Sequence, residues 1–185
     1  MSKSAKKILC TAEQLFNQHS FVAVGVDLIR DQSGCSKTTL YTYYQNKQHL
    51  ILAVLKQRHE NFQHGLTTSV GQLTAQAALD AIFAWHIDWF QSEQFKGCLF
   101  VRAVAESDRN EQEIKAIAQE HKRWLRQFIL QYCQNWVHAN EIALLYFHQL
   151  EGLSSRFMVE GFDADVATQC KKQLDLIVNL LEQNK

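Results

Sequence analysis

One cation and a dense set of hydroxyls mark the stretch of this chain where residue types and spacing suggest a recognition chemistry. From Lys37 to Tyr44 the sequence KTTLYTYY carries one lysine, three threonines and three tyrosines in eight positions. Groups of this kind recognise rather than react: hydroxyls and lysine donate to phosphate oxygens, and threonine methyls pack on thymine. Ser36 stands where a helix over these residues needs an N-cap, its hydroxyl accepting a backbone N–H. Gly34 supplies a turn, since a residue without Cβ takes positive φ at little cost. Ahead of the turn, Val26, Leu28 and Ile29 give a first short helix an apolar face. Residue pattern alone leaves two readings open. One is a helix-turn-helix laid against DNA; the other is a surface helical hairpin whose tyrosines cover neighbouring apolar residues.

Bond-making chemistry finds no comparable stretch. The chain has eight histidines and nineteen carboxylates, but no Asp or Glu lies three residues before a His, so the Glu-x-x-His of a di-iron bundle is missing. The H-E-x-x-H of a zinc protease, the phosphate-cradling glycine loops and the G-x-S-x-G elbow are missing too. Glu60 and His64 are one turn apart, as in many exposed helix pairs. No catalytic residue, metal ligand or cofactor is expected, and the chain is not expected to be an enzyme. Cysteines at 10, 35, 98, 133 and 170 are odd in number and lack C-x-x-C spacing, which argues against a disulfide framework.

The segment SKTTLYTYYQNKQHL resembles the recognition-helix signature of the TetR/AcrR family of bacterial transcriptional regulators. That signature runs V-S-x-x-T-L-Y-x-[YH]-F-x-[SN]-K-x-x-L after an A-G turn. Ser36, Thr39, Leu40, Tyr41, Tyr43, Asn46, Lys47 and Leu50 match it, and Tyr44 stands for the usual Phe. The likeness is close over residues 8–55 and architectural beyond. It implies an all-α fold of about nine helices, with an N-terminal three-helix helix-turn-helix head and a C-terminal helical ligand-binding and dimerisation body. Residues 1–47 would bind DNA, a connecting helix would begin at Lys47, and residues 48–185 would form the body. The partners implied are a double-stranded DNA operator, a second copy docked through residues 140–184, and a small-molecule effector of undisclosed identity. A repressor released from a palindromic operator by a small, largely apolar effector or by thiol modification is one outcome; a helical adaptor or degenerate family member without specific DNA binding is the other.

The resemblance also distributes roles. Ser36, Lys37, Thr38, Thr39, Tyr41, Thr42, Tyr43 and Lys47 form the DNA-facing set. Lys37 and Thr38 open the helix and reach base edges, while Tyr41 and Thr42 follow one turn on. Thr39, Tyr43 and Lys47 match positions that contact phosphate. On the body side, Trp85, Trp89, Phe100, Trp124 and Phe128 lie on helices that enclose the effector cavity in the family, with Arg102, His86, His121 and Glu106 as polar contacts. An aromatic stripe at helical spacing serves a plain core equally well. Cys98, after Gly97, resembles a subgroup whose cysteine senses electrophiles or oxidants, and a helix N-terminus favours thiolate; its alternative role is a packed small residue. The chain departs from the pattern at Val24 and Gly25, where family members carry Thr or Ser that caps the first motif helix and touches phosphate. Cys35 replaces the usual Val and reads as a small buried hydrophobe.

The elements that must position these residues are helical throughout. The 185 residues are 46% hydrophobic with no proline and seven glycines, and apolar residues recur at three and four with no strand-like alternation. Net charge is zero, but residues 1–60 hold eight Lys/Arg against four Asp/Glu and the remainder eleven against fifteen. That split suits an anionic polymer at one end. Helices are expected over Lys3–His19, from Val26, over Lys37–Tyr44, and from Lys47 without a linker towards Val70, with Gly65 and Gly71 marking a fraying end or break. Phe21 should close a small core with Phe16, Leu28, Ile29, Leu40 and Leu50. Further helices are expected over Leu73–Gln91, 97–106 and Glu111–Trp136, with a loop over Ser107–Asn110. The last pair, Asn140–Gly161 and Asp163–Asn184, takes Asn140 and Asp163 as caps. It offers apolar residues for a dimer interface or for the chain's own core. No apolar run approaches the ~20 residues that span a bilayer, and no signal peptide is evident, so a reduced cytoplasmic setting is expected.

Overall fold

A computed structural model describes residues 1–108 and 111–183 of the chain. Among these residues there are nine helices and no strand: α1 Lys3–Gln18, α2 Val26–Ser33, α3 Lys37–Tyr44, α4 Lys47–Val70, α5 Ala75–Gln91, α6 Leu99–Glu106, α7 Gln112–Gln131, α8 Ala139–Glu160 and α9 Ala164–Gln183. Arg109 and Asn110 of the expected loop, and the expected helix end at Asn184, lie outside the described residues. The chain packs as two compact units, Met1–Phe62 with Leu99–His121, and Gln63–Cys98 with Lys122–Lys185. This is a division by packing, and its boundaries fall inside α4, just before α6 and inside α7.

In the first unit, α1 contributes Ile8, Leu9, Ala12, Leu15 and Phe16 to the core, and α2 and α3 pack against it. Phe21 lies buried with its ring 4.9 Å from that of Phe16. Leu40, Leu50, Val54 and Leu55 are fully buried. Leu28 departs from expectation: it is 39% exposed, because the eight-residue α2 buries a single i, i+4 stripe made by Ile29 and Ser33. Cys35 is half-buried, its thiol 4.0 Å from the carbonyl of Ser4. Asn46 caps α4 by accepting the His49 N–H at 2.8 Å. Farther along α4, the Nδ1 atoms of His59 and His121 are 3.1 Å apart, and the His121 ring stacks on Phe100 at 3.8 Å.

The second unit contains α5, α8, α9 and the last turns of α4 and α7. Gly65 does not break α4. A Cβ there would lie 3.0 Å from the Trp85 indole, so the glycine permits a close helix–aromatic approach. Tyr146 is fully buried, and burial pushes its hydroxyl up to about 12. That hydroxyl accepts from Gln76 at 3.2 Å, and Gln76 also donates to Asp80 and Asp175. Lys171 bridges the same two carboxylates at 2.8 and 2.5 Å, so α5, α8 and α9 share one satisfied polar cluster. Helix α7 stops at Gln131 rather than Trp136, because Tyr132, Cys133 and Trp136 donate to the carbonyls three residues back and tighten the chain into turns. Helix α8 starts one residue before Asn140, with His138 at the cap position and no side-chain bond there. Asp163 does cap α9, accepting from Asp165 and Val166.

His86 is buried among the aromatic residues of α5 and donates from Nδ1 to the Ile82 carbonyl at 2.7 Å. Burial lowers its pKa from 6.5 to about 4, with the nearby Lys122 charge adding to the effect. Between these values the unfolded chain binds a proton that the folded chain does not. Stability is therefore fully present above pH 6.5 and falls as pH drops towards 4, by about 3 kcal/mol. Urea unfolding across pH 4–7 should show this loss in the wild-type chain and a correspondingly smaller one in His86→Phe. Parallel profiles would remove His86 from the explanation.

Candidate functional site

The recognition pair is shaped by its turn and its cap. Gly34 has φ +61°, a left-handed conformation that costs a residue with Cβ about 1–2 kcal/mol. Ser36 follows in extended backbone and its Oγ accepts the Thr39 N–H at 3.0 Å. The Thr39 hydroxyl shares a 2.8 Å hydrogen bond with the same oxygen, so both hydroxyls are committed to starting α3. Leu40 and Tyr44, one turn apart, are the buried stripe of the helix. Burying a tyrosine here leaves no orphan polar atom, since its hydroxyl donates to the Ala5 carbonyl at 2.8 Å. With that stripe turned inward, Lys37, Thr38, Tyr41, Thr42 and Tyr43 are exposed. Thr42 donates to the Thr38 carbonyl. Upstream, Val24 is a core residue and Gly25 caps α2 without a side-chain bond.

Both cations of the set already have partners. Lys37 Nζ lies 2.9 Å from Asp27 Oδ1, and the hydrogen bond from Lys37 holds the Asp27 carboxyl below its usual range. Arg30 braces the same carboxylate and Asp31, each at 2.7 Å. Lys47 is half-buried, its Nζ donating to the Val22 carbonyl at 3.4 Å. Burial lowers its pKa, and the carboxylates of Glu106 and Glu111 oppose that shift.

The expected effector residues are divided between the two units. Phe100 and Arg102 belong to the first; Trp85, Trp89, Cys98, Trp124 and Phe128 belong to the second. Phe100 is packed against His121, as described above. The guanidinium of Arg102 donates to the carbonyls of Phe16, Asn17 and His19 at the end of α1. Within the second unit, Trp124 stacks on Phe128 at 4.9 Å and Trp85 lies 6.3 Å from Trp89. Lys122 Nζ donates to Cys98 Sγ at 3.3 Å and to Glu151 at 2.5 Å. Burial opposes the charge on Lys122, but Cys98 and Glu151 outweigh it and leave its pKa raised.

Two open spaces accompany these residues. A cavity of about 410 Å³ in the first unit is bordered by Phe21, Lys47, Ile51, Glu106, Asp108 and Glu111 among others. A groove of about 390 Å³ in the second runs between Phe83, Ile87 and Phe162, with Lys171 and Lys172 at its edge. Of the expected effector residues, Glu106 borders the first, and none of the aromatic ones borders either. Sequence reading also passed over Asp27, Lys122 and Glu151, whose partners are close only after folding. Arg102 and Glu106 carry a visible i, i+4 charge pattern, yet nothing local indicates the backbone they engage.

Residues 8–54 match the family model described as bacterial regulatory proteins, tetR family. Among curated proteins, the chain is similar to the HTH-type transcriptional activator FasR of Mycolicibacterium smegmatis, 33% identical over 82 residues. That match covers 42% of this chain and 37% of the relative, so the chain spans well under half of that protein's length. Among solved structures, the TetR-family regulator SCO4454 from Streptomyces coelicolor superposes with a TM-score of 0.87 at 21% identity, covering 98% of this chain and 91% of that one. Reduced NemR from E. coli gives 0.74 at 18%, covering 97% of each. A cysteine mutant of the TetR-family regulator CifR, complexed with 26-bp operator DNA, gives 0.80 at 14%, covering 92% and 94%. At these identities the likeness is one of fold.

The bonding of Arg102 makes it structural in the first instance. Arg102→Ala should destabilise the chain by about 2–3 kcal/mol, since charged hydrogen bonds to three helix-end carbonyls are lost together. Thermal or urea unfolding checks this, and a loss below 0.5 kcal/mol would show that the carbonyls are satisfied without it.

Proposed function

We propose, from the premise that this chain belongs to the TetR family of bacterial regulatory proteins, that it is a DNA-binding transcriptional regulator, acting as a repressor on a palindromic operator. The observation that carries this reading is the face of α3. Its apolar stripe is buried while Lys37, Thr38, Tyr41, Thr42 and Tyr43 stand exposed on a capped helix behind a glycine turn. A helix so exposed enters the major groove with its first residues on base edges. Lys37 and Thr38 read bases, Tyr41 and Thr42 follow, and Tyr43 and Lys47 serve phosphates. Ser36 and Thr39 act mainly by holding the helix start. A palindrome calls for two heads, and exposed Leu144, Leu176, Ile177 and Leu180 on α8 and α9 supply an apolar surface for a homodimer through residues 140–184.

Contact with DNA then requires Lys37 to leave Asp27, whereas Lys47 keeps donors available beside its bond to Val22. Fluorescence titration against the DNA flanking the gene, at two salt concentrations, tests this. Lys47→Ala should weaken binding uniformly across sequences and flatten the slope of log K against log salt by roughly 0.9. Lys37→Ala and Thr38→Ala should alter sequence preference. Asp27→Asn, which releases Lys37, should tighten binding to all DNA. Deleting the gene should raise transcription from the adjacent promoter; a fall would make the protein an activator. Absent or salt-insensitive binding would favour a helical adaptor.

Release of the operator follows either a largely apolar effector in the body or modification of Cys98. The second route is supported by the position of Cys98, half-buried with its sulfur 3.3 Å from the Lys122 ammonium that also holds Glu151, so that an adduct there would disturb that contact. Mass spectrometry after mild electrophile treatment should find the adduct on Cys98 together with loss of DNA binding. No adduct there, or an adduct on protein that still binds DNA, removes this route.

A further inference from the structure

The cavity of the first unit holds chemistry that operator binding does not use. Its volume, about 410 Å³, lies in the range of small-molecule sites. Phe21, Ile51 and Ile114 give it apolar walls, and charged groups of both signs reach it from different elements. Lys47, at the start of α4, has three donors and makes one long hydrogen bond, to the Val22 carbonyl at 3.4 Å. The carboxylates come from the last residue of α6 and from Asp108 and Glu111 between α6 and α7. Glu106 is engaged by the Phe21 and Val22 amides. Glu111 accepts the Asp108 N–H through one oxygen, and among the described residues its other oxygen and the Asp108 carboxylate have no hydrogen-bond partner.

The combination selects a ligand class. An organic anion would satisfy Lys47 and meet two carboxylates. An organic cation would satisfy the carboxylates and meet Lys47. A neutral apolar compound would desolvate all three charges without pairing any. A zwitterion meets both signs at once. We infer that this cavity binds a small zwitterion of the α-amino-acid class with an apolar side chain, its carboxylate on Lys47, its ammonium towards Asp108 and Glu111, and its side chain against Phe21, Ile51 and Ile114. If Lys47 also serves an operator phosphate, occupancy withdraws it from DNA. That coupling rests on the operator reading; binding of the zwitterion does not.

Isothermal titration of the full chain, without DNA, tests the binding. L-leucine and L-phenylalanine are compared with their methyl esters, which keep only the cation, and their N-acetyl forms, which keep only the anion. At least one free amino acid should bind, and its two blocked forms should bind roughly ten-fold weaker or worse, each lacking one charged contact. Lys47→Met should weaken the free amino acid but leave its ester unaffected, and Glu111→Gln should spare the N-acetyl form. No binding of either amino acid to wild-type protein with a normal thermal transition overturns the inference, as do blocked forms that bind as tightly as the free ones. The wild-type comparison decides even if a variant fails to fold. A gel shift with saturating amino acid reads the coupling. Zwitterion binding with unchanged DNA affinity would end the coupling and keep the site, whereas failure to bind DNA at all would fall on the operator reading alone.

Discussion

The first unit depends on how the end of α1 is satisfied. A helix leaves its last carbonyls without partners, and the connection that follows α1 carries free amides. Arg102 donates to the carbonyls of Phe16, Asn17 and His19, and Glu106, one turn later on α6, accepts from the amides of Phe21 and Val22. One helical turn thus presents a cation to a carbonyl end and an anion to an amide stretch, each sign matched to the backbone it meets. This clamp explains why residues 99–121 pack with residues 1–62 although the 36 residues 63–98 intervene in the chain. It also brings Glu106, Asp108 and Glu111 to the space bordered by Lys47.

In a chain with equal numbers of cations and anions, several basic groups are occupied before any partner arrives. Lys37 is held by Asp27, Lys122 by Glu151 and Cys98, and Lys171 by Asp80 and Asp175. On the proposed reading, pairing with DNA would be an exchange of partners at Lys37 rather than the filling of an open position. At the exposed Asp27 pair that exchange is easy, because such pairs are screened by water and salt. At Lys47, removal from water has already raised the cost of holding the charge, so an additional anion there is received favourably.

Most of the fold was legible in the sequence because helix signals are local. The turn at Gly34, the caps at Ser36 and Asp163, and the span Lys37–Tyr44 all follow from interactions within a few residues of chain. Errors came where a neighbour in space overrode the local signal. Gly65 reads as a helix breaker until the Trp85 indole is placed against it. Leu28 reads as core until the short α2 is seen to bury only Ile29 and Ser33. Asn140 reads as a cap, yet α8 begins before it.

For the site, sequence alone determined the span of α3, its cap and, through the resembled signature, the side chains expected to face DNA. The spacing of Leu40 and Tyr44 dictates what is buried, and Lys37, Thr38, Tyr41 and Thr42 then turn outward by helical geometry. Tertiary structure decided what those residues and the body-side residues touch: Asp27 on Lys37, the carbonyls of α1 on Arg102, His121 on Phe100, and Lys122 on Cys98. Periodicity specifies orientation within one helix. Partners contributed by distant segments, and the burial that shifts the titration of Lys47 and His86, exist only once those segments are packed together.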